Sequence, residues 1–164
     1  MYNYIMAISI VRRKLTESEI RGLINDIRLY PNLAYISPTR FHHLTRPYCV
    51  SVDGRFSGIC GVYSFDTWIK LGPLVLLQRF HGKGIGRKLL DTIISDHKNM
   101  SIYIASSNSA VQHIITSHNF KQIPSYFQLP HEVKLFLLRQ LIEHLNLNFL
   151  TEGLRKKCFQ RRGE

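Results

Sequence analysis

The chain has 164 residues, the length of one domain able to bury a hydrophobic core. Its apolar share of 45% and charged share of 20% are ordinary for a globular protein and exclude a disordered or fibrous chain. Lysine and arginine outnumber aspartate and glutamate 22 to 11, a formal charge of +11, so the surface is either simply solvated or attractive to a polyanion: nucleic acid, an acidic membrane or a phosphate-rich ligand.

Residues 4–11 are apolar and β-rich, and predict a first strand; the run is short and has no basic stretch before it, unlike a signal peptide. After the basic Arg12-Arg13-Lys14, Thr16 and Glu19 have the spacing of a capping box. Ile20, Leu23, Ile24, Ile27 and Leu29 continue it at helical spacing until Pro31. Residues 31–47, with Pro31, Asn32, Pro38 and Pro47, predict a loop with at most a short helix. The period then becomes two: Tyr48–Val52, a turn at Asp53-Gly54 and Ser57–Phe65 predict a hairpin, and Trp68–Leu77 a third strand. A helix over 84–97, a strand over 101–105, a helix over 109–118, a strand over 120–127 and a helix over 132–145 follow. The basic end, 155–162, is either a last short strand or a tail.

This order predicts an α/β chain of the α+β kind: one domain over 1–164, a mixed and mostly antiparallel sheet with flanking helices, and a parallel pair where strand, helix and strand succeed one another. No repeat or linker argues for a second domain. Cys49, Cys60 and Cys158 are scattered, with no Cys-x-x-Cys pair, so neither a disulfide framework nor a zinc site is expected and reduced cysteines in the cytoplasm are. No apolar run approaches the roughly 20 residues that span a bilayer.

The sharpest motif runs from Leu74 to Leu90. Gly82, Gly84 and Gly86 alternate just before a helix whose Ile85, Leu89, Leu90, Ile93 and Ile94 share one face. Glycines let the backbone pass close to a bulky anion. The helix N-terminus beyond them offers unpaired N–H groups and the positive end of the dipole to phosphate oxygens. Lys83, Arg87 and Lys88 add charge at the same place. The spacing is not that of a P-loop, nor of the dinucleotide fingerprint Gly-x-Gly-x-x-Gly. A glycine turn with no ligand is the plain alternative.

His81-Gly82-Lys83-Gly84-Ile85-Gly86 resembles the signature Arg/Gln-x-x-Gly-x-Gly/Ala of the GCN5-related N-acetyltransferase (GNAT) family, with His81 in the place of Arg or Gln. Asn108 to Asn119-Phe120 resembles that family's second block, an Asn and a helix ending in Gly-Phe; Asn119 replaces the Gly, a mild change because Asn also accepts the left-handed conformation of a helix stop. The similarity covers about residues 48–128. It implies acetyl-CoA as co-substrate, with the backbone of Leu74, Val75 and Leu76 pairing with the pantetheine arm. It also implies that the amides from Gly82 through Lys83, Gly84, Ile85 and Gly86 to Arg87 bind the pyrophosphate, and that Asn108 lies near the thioester. Gly72-Pro73 fits the same picture: proline cannot donate to a ladder, so it marks a bulge where this strand splays from its neighbour, or else a plain strand start. His81 either tolerates the family's Arg/Gln position or contacts a phosphate when protonated.

Acyl transfer to an amine needs an unprotonated nucleophile, an oxyanion donor and a proton for the thiolate. A backbone N–H near Leu76 can serve as the donor. The family's proton-giving Tyr falls at Ile115, so Tyr126 is the candidate acid, with Ser117 behind it; a thiolate of pKa near 8.5 also leaves with little help. Asp66 is the candidate base, with His42 and His43 behind it, while Glu132 reads as a first-turn helix residue. His113 and His118 lie five apart, off a shared helical face, so no metal is assigned. The acceptor, framed by residues 28–47 with Tyr30, Tyr35 and Phe41, is expected to be a primary amine on a small molecule or protein. A non-catalytic acyl-CoA-binding module and, lower, a nucleic-acid-directed acetyltransferase remain as rivals. No membrane partner is expected, and the chain is taken as monomer or homodimer.

Overall fold

A computed structural model describes residues 6–29, 38–124, 128–143 and 156–163, with the backbone alone over 140–143. The strands are β1 (Ile8–Arg12), β2 (Tyr48–Val52), β3 (Arg55–Ser64), β4 (Trp68–Leu76), β5 (Ser101–Ser106), β6 (Lys121–Ile123) and β7 (Lys157–Arg161). The helices are α1 (Glu17–Ile27), α2 (Pro38–His42), α3 (Ile85–Asp96), α4 (Ser109–Ser117) and α5 (His131–Glu143). Strand order is β1-β2-β3-β4-β5-β7-β6. The sheet is mixed and mostly antiparallel with flanking helices, the predicted α+β architecture.

By contacts the chain divides into two compact units, one of residues 1–31, 36–62 and 73–96, the other of 32–35, 63–72 and 97–164. In the first, β1 pairs antiparallel with β2, and β2 with β3 through the Asp53-Gly54 turn, where both residues have positive φ (51° and 75°). The β2–β3 register jumps between Val50 and Ser51, which leaves Ser57 as an extra, bulged residue on β3. The capping box of α1 forms as the spacing predicts: Glu19 N–H donates to Thr16 Oγ1 at 3.3 Å, and Thr16 N–H to Glu19 Oε2 at 2.9 Å. The same carboxylate takes two bonds from Arg13, at 2.8 and 2.6 Å. The Arg13 bonds hold the Glu19 carboxyl below its usual range. α1 buries Ile20, Leu23, Ile24 and Ile27, and α3 buries Ile85, Leu89, Leu90, Ile93 and Ile94. α3 packs on β1 and β2, tied by Tyr48 Oη, which donates to Asp96 Oδ2 at 2.8 Å. Burial, and then this bond, push the Tyr48 phenol up to about 12.

In the second unit β4 and β5 form the expected parallel pair, Trp68–Leu71 against Ser101–Ile104. The ladder stops at Leu71, just before Gly72-Pro73, while β4 itself continues to Leu76. The basic end is a strand: β7 lies between β5 and β6, antiparallel to both. β6 spans Lys121–Ile123, and residues 125–127 of the predicted strand lie outside the described residues. Tyr103, Ile123, Leu129 and Val133 form a core with Trp68, Ala105, Leu137 and Cys158 against it. α4 begins and ends on its two asparagines. Asn108 Oδ1 accepts from the amides of Ala110 and Val111. Asn119 (φ 62°) turns left-handed so that its own N–H reaches Thr116 O and that of Phe120 reaches Ile115 O.

Candidate functional site

The glycine loop lies wholly in the first unit. β4 ends at Leu76, Leu77 N–H donates to Ser57 O at 2.8 Å, and a 3-10 turn over Gln78–Phe80 leads into residues 81–84. Gly82 (φ 71°) and Gly84 (φ 73°) are both left-handed, a conformation that costs an L-residue about 1–2 kcal/mol. A Cβ on either would meet nothing within 4 Å, so the requirement there is conformational and the space beside the loop is open. Gly84 O accepts from Lys88 N–H at 3.0 Å, the first bond of α3. The amides of Ile85, Gly86 and Arg87 therefore belong to the turn that has no intrahelical acceptor.

Two anchors hold this loop. His81 Nε2 lies 2.8 Å from Leu76 O. A carbonyl only accepts, so the ring carries its proton on Nε2 and bridges the last residue of β4 to the start of the loop. Asp26, at the end of α1, accepts from Gln78 N–H at 2.9 Å.

Below the loop β3 and β4 come very close at Gly58. A Cβ there would fall against Val75 O and within 2.7 Å of Leu76 Cδ2 and 2.8 Å of Leu76 Cα. Gly86 meets the same leucine less tightly, with Leu76 Cδ1 3.3 Å from a would-be Cβ. Leu74 and Leu76 are half-buried and Val75 is buried. Lys83, Arg87 and Lys88 are exposed around the loop, as is Arg79. Arg79 and Lys83 both approach the buried Phe80 ring, at 5.0 and 5.7 Å from its centroid, which gathers two cations at one turn. An anion of several oxygens suits these open amides, left-handed glycines and exposed cations.

Gly58, Ser57 and Asp26 escaped the sequence reading. The available signal was Gly58 itself, since a glycine inside a strand often marks close backbone approach.

Other predicted residues lie elsewhere. Asn108 is exposed in the second unit, its Oδ1 engaged in capping α4. Ile115, in the place of the family's Tyr, is fully buried and offers no proton. Ser117 Oγ donates to Ile114 O at 2.7 Å, within its own helix. Asp66 is exposed in the turn before β4, whereas the glycine loop follows that strand's other end. Tyr126, with Tyr30 and Tyr35, lies outside the described residues. Phe41 is core, His42 and His43 are exposed, and His42 Nδ1 stands 3.5 Å from Glu17 Oε1. Among the described residues no group of three His, Cys, Asp or Glu side chains could hold a metal, and no helix is long and apolar enough to cross a membrane.

A search of curated proteins finds no match to this sequence. Among solved structures the chain is similar to N-acetylglutamate synthase from Neisseria gonorrhoeae, complexed with coenzyme A and N-acetyl-glutamate, with a TM-score of 0.69 and 17% identity over 96% of this chain and 35% of that one. It is similar to an acetyltransferase of the GNAT family from Staphylococcus aureus Mu50, with a TM-score of 0.66 and 17% identity over 96% of this chain and 100% of that one. Ribosomal-protein-S18-alanine N-acetyltransferase from Escherichia coli follows, with a TM-score of 0.61 and 12% identity over 95% and 91%. This chain spans about a third of the synthase chains, so those matches concern one part of a larger protein. At such identities the likeness is one of fold. The sequence itself matches the model of the acetyltransferase (GNAT) family over residues 15–120, most of its length, and the chain belongs to that family.

Proposed function

We propose that the chain, as a single N-acetyltransferase domain, transfers an acetyl group from acetyl-CoA to a primary amine by direct attack in a ternary complex. The observation that carries this is the loop itself: left-handed Gly82 and Gly84, bridged to Leu76 O by His81, opening onto the first amides of α3. The coenzyme A in related structures, the N. gonorrhoeae synthase among them, supports the same reading.

Acetyl-CoA supplies the activated acyl group. The amides from Gly82 to Arg87 hold its pyrophosphate, with Lys83 and Arg87 adding charge from the rim. The backbone of Leu74, Val75 and Leu76 aligns its pantetheine arm, and Gly58 permits the close fit of β3 behind that strand. Asn108 acts nearer the thioester. With Ile115 in the Tyr position, the thiolate departs with a proton from water or Tyr126, and Asp66 or water takes the amine's proton. We place the protein in the cytoplasm, with reduced cysteines.

The buried Ile115 favours one second reading, an acyl-CoA-binding module without turnover. Thiol release from acetyl-CoA, measured with amino acids, polyamines and peptide N-termini as acceptors and with mass spectrometry of the product, separates the two. Acetylated product supports the transferase. Tight acetyl-CoA binding with no thiol release from any of them supports the module.

A further inference from the structure

Asp26 stands where a helix least favours it. It lies in the last turn of α1, at the negative end of the dipole, and aspartate is a weak helix former. Its backbone helps to close the helix, since Leu29 N–H donates to Asp26 O at 3.0 Å. Its half-buried side chain leaves the helix altogether. Oδ2 accepts from Gln78 N–H at 2.9 Å, across 52 residues of sequence and within the first unit.

That amide needs an acceptor from outside. β4 ends at Leu76, and Leu77 N–H goes to Ser57 O. Gln78 opens the 3-10 turn, so its N–H has no acceptor within the turn. Leu77, in the capping position, has no polar side chain to supply one. Two bonds then close the turn, Phe80 N–H to Leu77 O and His81 N–H to Gln78 O, both at 2.9 Å. The residue after His81 is the left-handed Gly82. Asp26 therefore caps, from α1, the turn that aims the glycine loop.

Its charge sets two effects against each other. A carboxylate near a loop that takes phosphate repels the ligand, while a carboxylate bonded to an amide leading into that loop orders it. The repulsion acts through water and salt, whereas the hydrogen bond is direct and charge-assisted, so ordering outweighs repulsion. We propose that Asp26 is a positioning residue for the acyl donor. It holds the Gln78–Phe80 turn so that the amides from Gly82 to Arg87 are already arranged when the pyrophosphate arrives. This rests on the acetyl-CoA reading above. A loop that is competent only about a tenth of the time binds its ligand about tenfold more weakly.

The test is calorimetric titration with acetyl-CoA. Asp26→Ala removes the acceptor and the charge together, so repulsion alone predicts tighter binding and the cap predicts weaker binding. The expected affinity is about tenfold lower than that of the wild type. Asp26→Asn keeps an acceptor oxygen and is expected to bind within about threefold of the wild type. Gln78→Pro deletes the donor and keeps the turn: Leu77, at ψ 138°, already has the backbone that a following proline requires, and the first position of a helical turn tolerates the ring. In that background Asp26→Ala is expected to change the affinity by less than about twofold, whereas a residue that served α1 alone would cause the same loss as before. Melting temperatures check that each variant folds. Binding by Asp26→Ala that equals or exceeds the wild type's, a loss that Asp26→Asn shares in full, or a loss that persists beside Gln78→Pro overturns the positioning role and leaves the coenzyme reading standing. Absence of acetyl-CoA binding by the wild type overturns both.

Discussion

Gly58→Ala is the sharpest perturbation the fold offers. The new Cβ would fall against Val75 O and 2.8 Å from Leu76 Cα, where ordinary contact begins near 3.4 Å. β3 and β4 must therefore part by at least about 0.6 Å, and both obstacles are backbone atoms that cannot rotate away. Overpacking of this kind costs about 1–3 kcal/mol. Straining the Leu77 N–H bond to Ser57 O adds about 1 kcal/mol. The sum, about 2–4 kcal/mol, corresponds to a melting temperature lower by roughly 5–15 °C for a chain of this size. The displaced backbone is the one assigned to the pantetheine arm, so acetyl-CoA affinity is expected to fall tenfold or more. Thermal melting and calorimetric titration read the two effects. Gly22→Ala is the control: it lies on α1 with nothing within 4 Å of its would-be Cβ and should be neutral or stabilising by up to about 1 kcal/mol. A Gly58→Ala protein with wild-type melting and wild-type affinity would refute the reasoning.

Further outcomes follow from the same structure. His81→Ala removes the bridge to Leu76 O and should weaken acetyl-CoA binding several-fold by calorimetry while changing the melting temperature by only about 2–4 °C. Glu19→Gln loses the Arg13 pair and weakens the capping box, a cost of about 1 kcal/mol at neutral pH in this partly exposed setting. The folded carboxyl lies below its ordinary 4.5, so its contribution is present above that pH and is lost as pH falls through the folded value; wild-type and variant denaturation midpoints should converge there. Asn119→Gly should stabilise by a few tenths of a kcal/mol to about 1 kcal/mol and Asn119→Ala destabilise by about as much, because the residue is left-handed. Urea titrations rank the three proteins.

What was legible in the sequence was local. Thr16 and Glu19 form their capping box because both partners lie within one turn. The glycine loop was readable because left-handed positions, an amphipathic helix and basic residues fall within twenty residues. Asn119 behaves as its neighbours predict for the same reason. What escaped depends on residues far apart in the chain. Nothing near Lys157–Arg161 tells that this strand inserts between β5 and β6. Gly58 matters only because Val75 and Leu76 arrive beside it, and Asp26 only because the turn at Gln78 lies over the end of α1. The chemistry was less legible than the fold: Ile115 removes the expected acid, and Asp66 sits in an exposed turn.

The most direct test of the central claim is calorimetric titration of the purified protein with acetyl-CoA, beside a Gly84→Glu variant. Gly84 has φ 73° and opens α3, so glutamate there both strains the loop and sets a negative charge where phosphate oxygens are assigned. The account predicts saturable binding by the wild type, at least 100-fold weaker in the variant, with both proteins folded. Equal binding by the two, or none by the wild type, would contradict it.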